Sequence, residues 1–283
     1  MFLEVTYSDE KWKNARELNV RMAVKYGGID EAKAYCRDDI PDDFIKRNQD
    51  IFKIQRGAGC YLWKPWVVAE GLKRISEGDY LVYIDAGVAV IANLHPLILA
   101  LESSGQDVMC FYQSQIEKYW TKRDAFILMD CDTPEFTDTP QRSAHVILCK
   151  KTAQSIKIID DWLKFAQDAR IITDWQCVMG KPDYEGFVEN RFDQTVWSLT
   201  TKKYGLKPFR LPFAEDRKVH DFQIGGEEKQ AYDRSLYPKL MDIYHSRHIR
   251  YEWQLRSKRW RLFEAKLGEF RSGCDKALSK IKR

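Results

Sequence analysis

The stretch Asp79-Tyr80-Leu81-Val82-Tyr83-Ile84-Asp85-Ala86-Gly87 decides how this chain is read. Tyr80 to Ile84 form an uncharged run of apolar and aromatic residues, too short for a helix and rich in strand formers, so the run reads as a buried strand. Asp79 enters the strand and Asp85 leaves it, with small Ala86 and flexible Gly87 next. A carboxylate at the C-terminal end of a buried strand is where open α/β sheets hold ligands. Small neighbours let a bulky charged ligand approach the backbone. The plain alternative is a polar residue that only begins a turn.

Outward from this strand the pattern alternates. Phe2 to Thr6 read as a first strand, and Trp12, Ala15, Leu18 and Met22 recur at helical spacing up to Gly27-Gly28. Pro65 stands where a helix's first residue would, and Val68, Leu72 and Ile75 give that helix one apolar face, closed by Gly78. Val108 to Tyr112 and His145 to Cys149 are further strand candidates. Ile156, Ile159, Leu163 and Ala166 mark a helix, and Val196 and Leu199 sit in another that ends near Gly205. Residues 113–144 read as a long excursion on the acceptor side of a site. Strand–helix alternation with short connections predicts an α/β fold of three layers around a mostly parallel sheet.

Composition narrows the class. The 283 residues are 44% hydrophobic and 31% charged, which fits a water-soluble globular chain with room for one large α/β domain. No run approaches the ~20 apolar residues of a membrane span, and the N-terminus lacks the pattern of a secretory leader. Seven cysteines, at 36, 60, 110, 131, 149, 177 and 274, are scattered and never spaced as Cys-x-x-Cys. That pattern reads as reduced, core-filling thiols of a cytoplasmic protein and argues against a zinc site.

Charge is unevenly placed. Residues 247–283 hold 12 Lys and Arg against 4 acids, a net of +8. The whole chain carries +4, so residues 1–246 carry −4. In the tail, Trp260, Phe263, Leu267, Phe270, Cys274, Leu278 and Ile281 recur in steps of three and four among basic residues. This pattern predicts a basic amphipathic helix over 251–283, apart from a catalytic domain over 1–250. It suits an anionic membrane surface, which would make the protein peripheral to the membrane; a homodimer seam or packing on its own domain are the other readings. Nucleic acid ranks last, because the body is acidic and no nucleic-acid motif is present.

Four motifs follow one another: Arg56-Gly57-Ala58-Gly59-Cys60-Tyr61-Leu62-Trp63-Lys64-Pro65, then Tyr83-Ile84-Asp85-Ala86-Gly87, then Asn190-Arg191-Phe192-Asp193-Gln194, then Tyr244-His245-Ser246-Arg247. In that order they resemble the bacterial and viral glycosyltransferases that build capsule, lipopolysaccharide and related surface glycans. The resemblance covers roughly residues 2–250 and implies a GT-A-like fold, a nucleotide-sugar donor, and a glycan or lipid-linked acceptor. It also implies a divalent metal, manganese or magnesium, on an Asp-x-Asp motif. This chain departs from that motif, since Gly87 stands at the third position. Asp79 cannot replace it, because six strand residues span ~20 Å. Asp85 is then the first metal ligand, and His245 resembles the late histidine that completes the metal shell in some retaining members.

The residues themselves suggest further roles. Arg56 and Lys64 bracket a Gly-x-Gly before a helix start, a setting for diphosphate contact whose plain alternative is an ordinary strand-to-helix turn. Tyr7 and Ser8 follow the first strand, where this fold places the donor's base and ribose, with Tyr7 available for ring stacking. Ala86, Gly87, Arg191 and Arg247, which stand inside the matching motifs, are assigned to the donor as well. Asp193 and Gln194 are the catalytic pair by resemblance: a carboxylate beneath the anomeric carbon stabilises an oxocarbenium-like transition state, and an amide holds a hydroxyl. Asp193 is equally placed to cap the helix bearing Val196. Two other classes stay open, a degenerate transferase fold serving as a scaffold and a sugar nucleotidyltransferase. The second would need a glycine-rich first loop that Thr6-Tyr7-Ser8-Asp9 does not provide.

Overall fold

A computed structural model describes residues 1–214 and 226–243. The centre is a five-stranded sheet of order β2-β1-β3-β6-β5. The strands are β1 (Phe2–Tyr7), β2 (Glu31–Tyr35), β3 (Tyr80–Ile84), β5 (Val108–Ile116) and β6 (Pro140–Lys150). β1 pairs in parallel with β2 and β3, while β6 runs antiparallel to both β3 and β5. Four strands therefore share one direction and β6 opposes them. A second, two-stranded sheet joins β4 (Val88–Val90) to β7 (Met241–Ile243) antiparallel.

Alternation along the strands builds the layers. Leu3, Val5, Leu81, Tyr83, Ile147 and Cys149 face one side, against helices Trp63–Lys73, Ala153–Ala166 and Asp193–Lys203. Phe2, Val82, Ile84, Val146 and Leu148 face the other, against helix His95–Ser104 and the small sheet. Helix Lys13–Tyr26 buries Ala15, Leu18 and Met22 beside Ala89. In the first layer Trp162 packs on Trp197, both fully buried, with ring centroids 4.8 Å apart.

Several expectations change. β2, with the sequence Glu-Ala-Lys-Ala-Tyr, is an edge strand whose residues are largely half-exposed, so no apolar run announces it. Helix His95–Ser104 also went unread. The Trp63 helix begins two residues before Pro65, with Lys64 inside its first turn. Residues 113–144 are not an irregular excursion: β5 continues to Ile116, three short helices follow (Glu117–Trp120, Arg123–Leu128, Pro134–Thr137), and β6 begins at Pro140. The long irregular segment is 173–192 instead. Buried Asn190 ties it down by donating to the carbonyls of Ile171, Ile172 and Thr173, and Asp124 accepts from the N–H groups of Val178 and Met179. The basic tail, His245 and Arg247 lie outside the described residues.

Candidate active site

The C-terminal ends of parallel β1 and β3 lie side by side, and a cleft of about 330 Å³ opens there. Tyr7 and Ser8 leave β1 into it; Asp85, Ala86 and Gly87 leave β3 into it. A second cleft of about 160 Å³ adjoins it, lined by Arg56, Lys64, Arg191, Asp193 and Gln194. Tyr61, Asp85 and His145 border both. Residues from five separate stretches of sequence thus meet at one sheet end.

The floor between the clefts is an ionic cluster. Lys64 Nζ lies 3.2 Å from Asp85 Oδ1 and 2.8 Å from Asp193 Oδ2, and donates to the Ala144 carbonyl at 3.2 Å. The Lys64 side chain is 5% exposed and that of Asp193 6%. Tyr83 Oη donates to Asp85 Oδ1 at 2.5 Å. Burial alone would discharge Lys64, but the two carboxylates outweigh it and hold the ammonium pKa above its ordinary value. Burial pushes Asp193 up to about 6, against the pull of Lys64 and with a further push from Asp85. Burial, and then the Asp85 charge, raise the Tyr83 phenol.

A left-handed turn aims Lys64 at this floor. Gly57, Ala58, Gly59, Cys60 and Tyr61 all have positive φ, from 50° to 96°. Left-handed backbone costs each non-glycine residue roughly 1–2 kcal/mol. Hydrogen bonds within the loop offset the strain: Gly59 N to Ile54 O at 2.9 Å, Cys60 N to Arg56 O at 2.9 Å, Tyr61 N to Gly57 O at 3.1 Å. Trp63 Nε1 adds a bond to Gly57 O at 2.9 Å.

This geometry alters the reading of the glycine loop. Lys64 N–H is spent on the Tyr61 carbonyl and Pro65 has none, so no open helix N-terminus meets an anion there. The Lys64 ammonium, expected on phosphate, is instead enclosed between carboxylates. Arg56 stays at the rim, pairing with Glu189 Oε2 at 2.7 Å and lying over the Phe192 ring. Arg191 pairs with the other oxygen of Glu189 at 3.2 Å and lies over Trp120. Tyr7 is buried, and one ring face is stacked on Trp63 at 4.0 Å, so only its other face and edge remain for a base. Ser8 is buried too, with Oγ donating to the Asp9 carbonyl.

Asp193 opens helix Asp193–Lys203 as its first residue, after Phe192 at φ 53°. Its carboxylate turns to Lys64, so the helix-cap reading is replaced by the ion pair. Gln194 is oriented from behind. Buried Glu117 accepts from Gln141 Nε2 at 3.0 Å, which points Gln141 Oε1 at Gln194 Nε2, 2.9 Å away. Ser198, Thr121 and Lys202 complete the Glu117 shell. An acceptor-only carboxylate at the far end thus fixes two amides in sequence.

Sequence reasoning missed His145, Tyr61 and Gln141. The sequence marks His145 only as the start of a strand, and its ring Nδ1 lies 2.8 Å from Ser143 Oγ. Its one sequence signal is a polar residue between apolar neighbours of a strand. Tyr61 carried no signal beyond its place in the glycine loop.

The described residues do not fit the implied metal. Magnesium and manganese need several hard oxygen donors. Asp85 Oδ1 is already taken by an ammonium and a phenol, Gly87 adds no donor, and no group of three or more His, Cys, Asp or Glu converges among the described residues. His245 lies outside them. Among the described residues no helix is long and apolar enough to cross a membrane.

No model of a known protein family matches the chain, and no curated protein matches it. Among solved structures, the chain is similar over 86% of its length to the bifunctional glycosyltransferase WbbM in its apo form, at 10% identity and a TM-score of 0.47. It spans 45% of that longer chain. It is similar over 87% of its length to mouse xyloside xylosyltransferase 1, at 10% identity and a TM-score of 0.44, covering 97% of that chain. The galactosyltransferase LgtC, in complex with donor and acceptor sugar analogues, aligns over 87% of each chain at 13% identity and a TM-score of 0.44.

Proposed function

We propose that this chain is a glycosyltransferase that moves a sugar from a nucleotide-sugar donor to a glycan or lipid-linked acceptor, with retention at the anomeric carbon. One observation carries the reading. Asp85 and Asp193, from the ends of a strand and a loop far apart in sequence, converge on one buried ammonium at the floor shared by two adjoining clefts. A purely structural carboxylate pair has no need of two open clefts above it, and perturbed groups in a cleft mark functional sites.

In this reading the nucleoside lies in the larger cleft, beside Tyr7, Ser8 and Gly87. The diphosphate crosses above Asp85, and the sugar enters the smaller cleft over Asp193 and Gln194. As the sugar bond to phosphate breaks, positive charge develops at the anomeric carbon. Asp193 faces that charge with a fixed carboxylate, a stabilisation strongest in the transition state. Gln194, held by Gln141, bonds a sugar hydroxyl. Arg56 and Arg191, which share a single Glu189, leave surplus positive charge toward the departing diphosphate.

The acceptor side moves to the segment 173–192. It exposes Trp175, Val178 and Val188 and leads directly into Glu189 and Arg191 at the cleft rim. An exposed indole suits the apolar face of a sugar ring or a lipid chain. The tail, 251–283, suits an anionic membrane that would carry a lipid-linked acceptor. Its removal should abolish co-sedimentation with acidic liposomes, an attraction that weakens with salt, and should leave transfer to a soluble acceptor unchanged.

The test is a panel of nucleotide-sugars with release of nucleoside diphosphate as the readout, followed by NMR of the product's anomeric configuration against the donor's. Turnover with retention supports the proposal. Turnover with inversion removes the role given to Asp193. Binding of nucleotide-sugar with no turnover on any acceptor leaves a scaffold, and synthesis of nucleotide-sugar from sugar phosphate makes the chain a nucleotidyltransferase.

A further inference from the structure

The cluster on the floor has a charge logic that the Asp-x-Asp pattern does not. An ammonium has three N–H donors. Lys64 Nζ donates to the Ala144 carbonyl at 3.2 Å and is ion-paired with Asp85 Oδ1 at 3.2 Å and Asp193 Oδ2 at 2.8 Å. The side chain is 5% exposed, and aromatic rings of Tyr61, Trp63 and Tyr83 lie within 6 Å of Nζ. A divalent ion on Asp85 Oδ1 would stand against this ammonium as a like charge and would compete with the Tyr83 hydroxyl for the same oxygen.

We propose that Lys64 is the resident cation of this site, and that the chain binds a nucleoside diphosphate without a divalent metal. Lys64 offsets one of the two charges on Asp85 and Asp193, which lowers the repulsion an anionic donor meets there. Arg56 and Arg191 supply the charge that faces the phosphates. At rest both guanidiniums lean on Glu189, at 2.7 and 3.2 Å. One carboxylate between two guanidiniums leaves a positive surplus that a diphosphate can claim. This inference rests on the nucleotide-sugar reading for its ligand, but its claim about the cation stands on the cluster alone.

The experiment uses the full chain stripped of metal. In the first arm, free Mn²⁺ is followed by electron paramagnetic resonance as protein is added without nucleotide. No tight site is expected. A stoichiometric site that disappears in Asp85→Asn overturns the proposal. In the second arm, Lys64→Gln leaves the two carboxylates without a cation, and Mn²⁺ should raise the melting midpoint of this variant while leaving that of the parent unchanged. Equal response of both chains overturns the proposal. Should Lys64→Gln fail to fold, Lys64→Arg keeps the charge and should match the parent's indifference to Mn²⁺; a gain of Mn²⁺ response there counts against Lys64 as the resident cation. In the third arm, UDP, GDP, CDP and ADP are titrated calorimetrically in EDTA and in Mn²⁺. An affinity equal within about twofold is expected for whichever binds, and a tenfold or greater gain with Mn²⁺ overturns the proposal. If no nucleoside diphosphate binds in either buffer, the nucleotide-sugar reading falls, and the first two arms still decide the cation.

Discussion

Asp193 is a carboxylate kept from water but not from charge. Burial raises its pKa and Lys64 draws it part of the way back, to about 6. In the proposed role, as the stabiliser of a cationic transition state, it must be ionised. Turnover should therefore rise with pH through about 6 and level off above, while nucleotide affinity, set by other groups, should not follow that limb. Asp193→Asn keeps the shape and removes the charge. Turnover should fall ~10²-fold or more with nucleotide affinity little changed, the pattern of a group acting on the transition state. Calorimetric nucleotide binding beside steady-state kinetics checks both. Parallel loss of binding and melting temperature would make Asp193 a structural anchor of the ion cluster.

At the scale of the element, the left-handed turn at 57–61 and the segment 173–192 pull in opposite directions. The turn is strained and closed. Gly59 sits at φ 96°, and a β-carbon there would lie 2.8 Å from Phe52 Cδ1 and 3.1 Å from Phe52 Cα. Gly59→Ala should destabilise the fold by ~1–3 kcal/mol in urea unfolding. It should also depress turnover in the surviving native fraction, because the turn sets where Lys64 enters its helix. An unchanged midpoint would mean that the loop relaxes freely and that its geometry does not hold the site. The segment 173–192 is open, with Trp175 48% exposed. Trp175→Ala should leave stability within about 0.5 kcal/mol, as at most surface sites, and raise the acceptor KM with donor KM unchanged. A change in donor KM instead would place the indole at the nucleotide.

At the scale of the whole molecule, the sheet's second face carries a liability. Glu4 lies on β1 with no exposure, and neither carboxylate oxygen has a hydrogen-bond partner among the described residues. Burial lifts its pKa to about 8 from an ordinary 4.5. The sign follows directly. Below pH 4.5 folded and unfolded chains both hold the proton. Between 4.5 and 8 the unfolded chain releases a proton that the folded chain keeps, so stability falls as pH rises, by up to about 1.4 kcal/mol per pH unit, and flattens above 8. Glu4→Gln removes this slope. Denaturant midpoints measured from pH 5 to 9, roughly the window of the shift, should converge at the acid end and favour the variant at the alkaline end. Parallel curves would show that Glu4 is charged and solvated in the native state.

The sequence by itself determined the local events. The apolar run before Asp85, the helical spacing in Lys13–Tyr26, and the small residues after the strand are short-range patterns, and they suffice for a three-layer α/β fold and for a ligand end on β3. The sequence marks Asp85 by its place at the end of a buried strand, while Asp193 enters as a candidate through the resemblance of its motif. Only the tertiary structure decided what the charges do. Lys64, next to a proline and two glycines, reads as an exposed phosphate ligand. Its enclosure depends on a left-handed turn and on a helix that starts two residues early, neither of which side-chain periodicity encodes. β2, with little apolar character, forms because β1 offers it an unpaired edge. The opposed direction of β6 follows from how the chain returns across the sheet, since antiparallel and parallel neighbours need the same alternation of side chains. Gln141 and Glu117 have no local signature because a hydrogen-bond relay is made of partners 24 and 53 residues apart. Propensity and periodicity act over a turn or a strand, whereas the field at an ammonium is set by whichever carboxylates the fold brings within 4 Å.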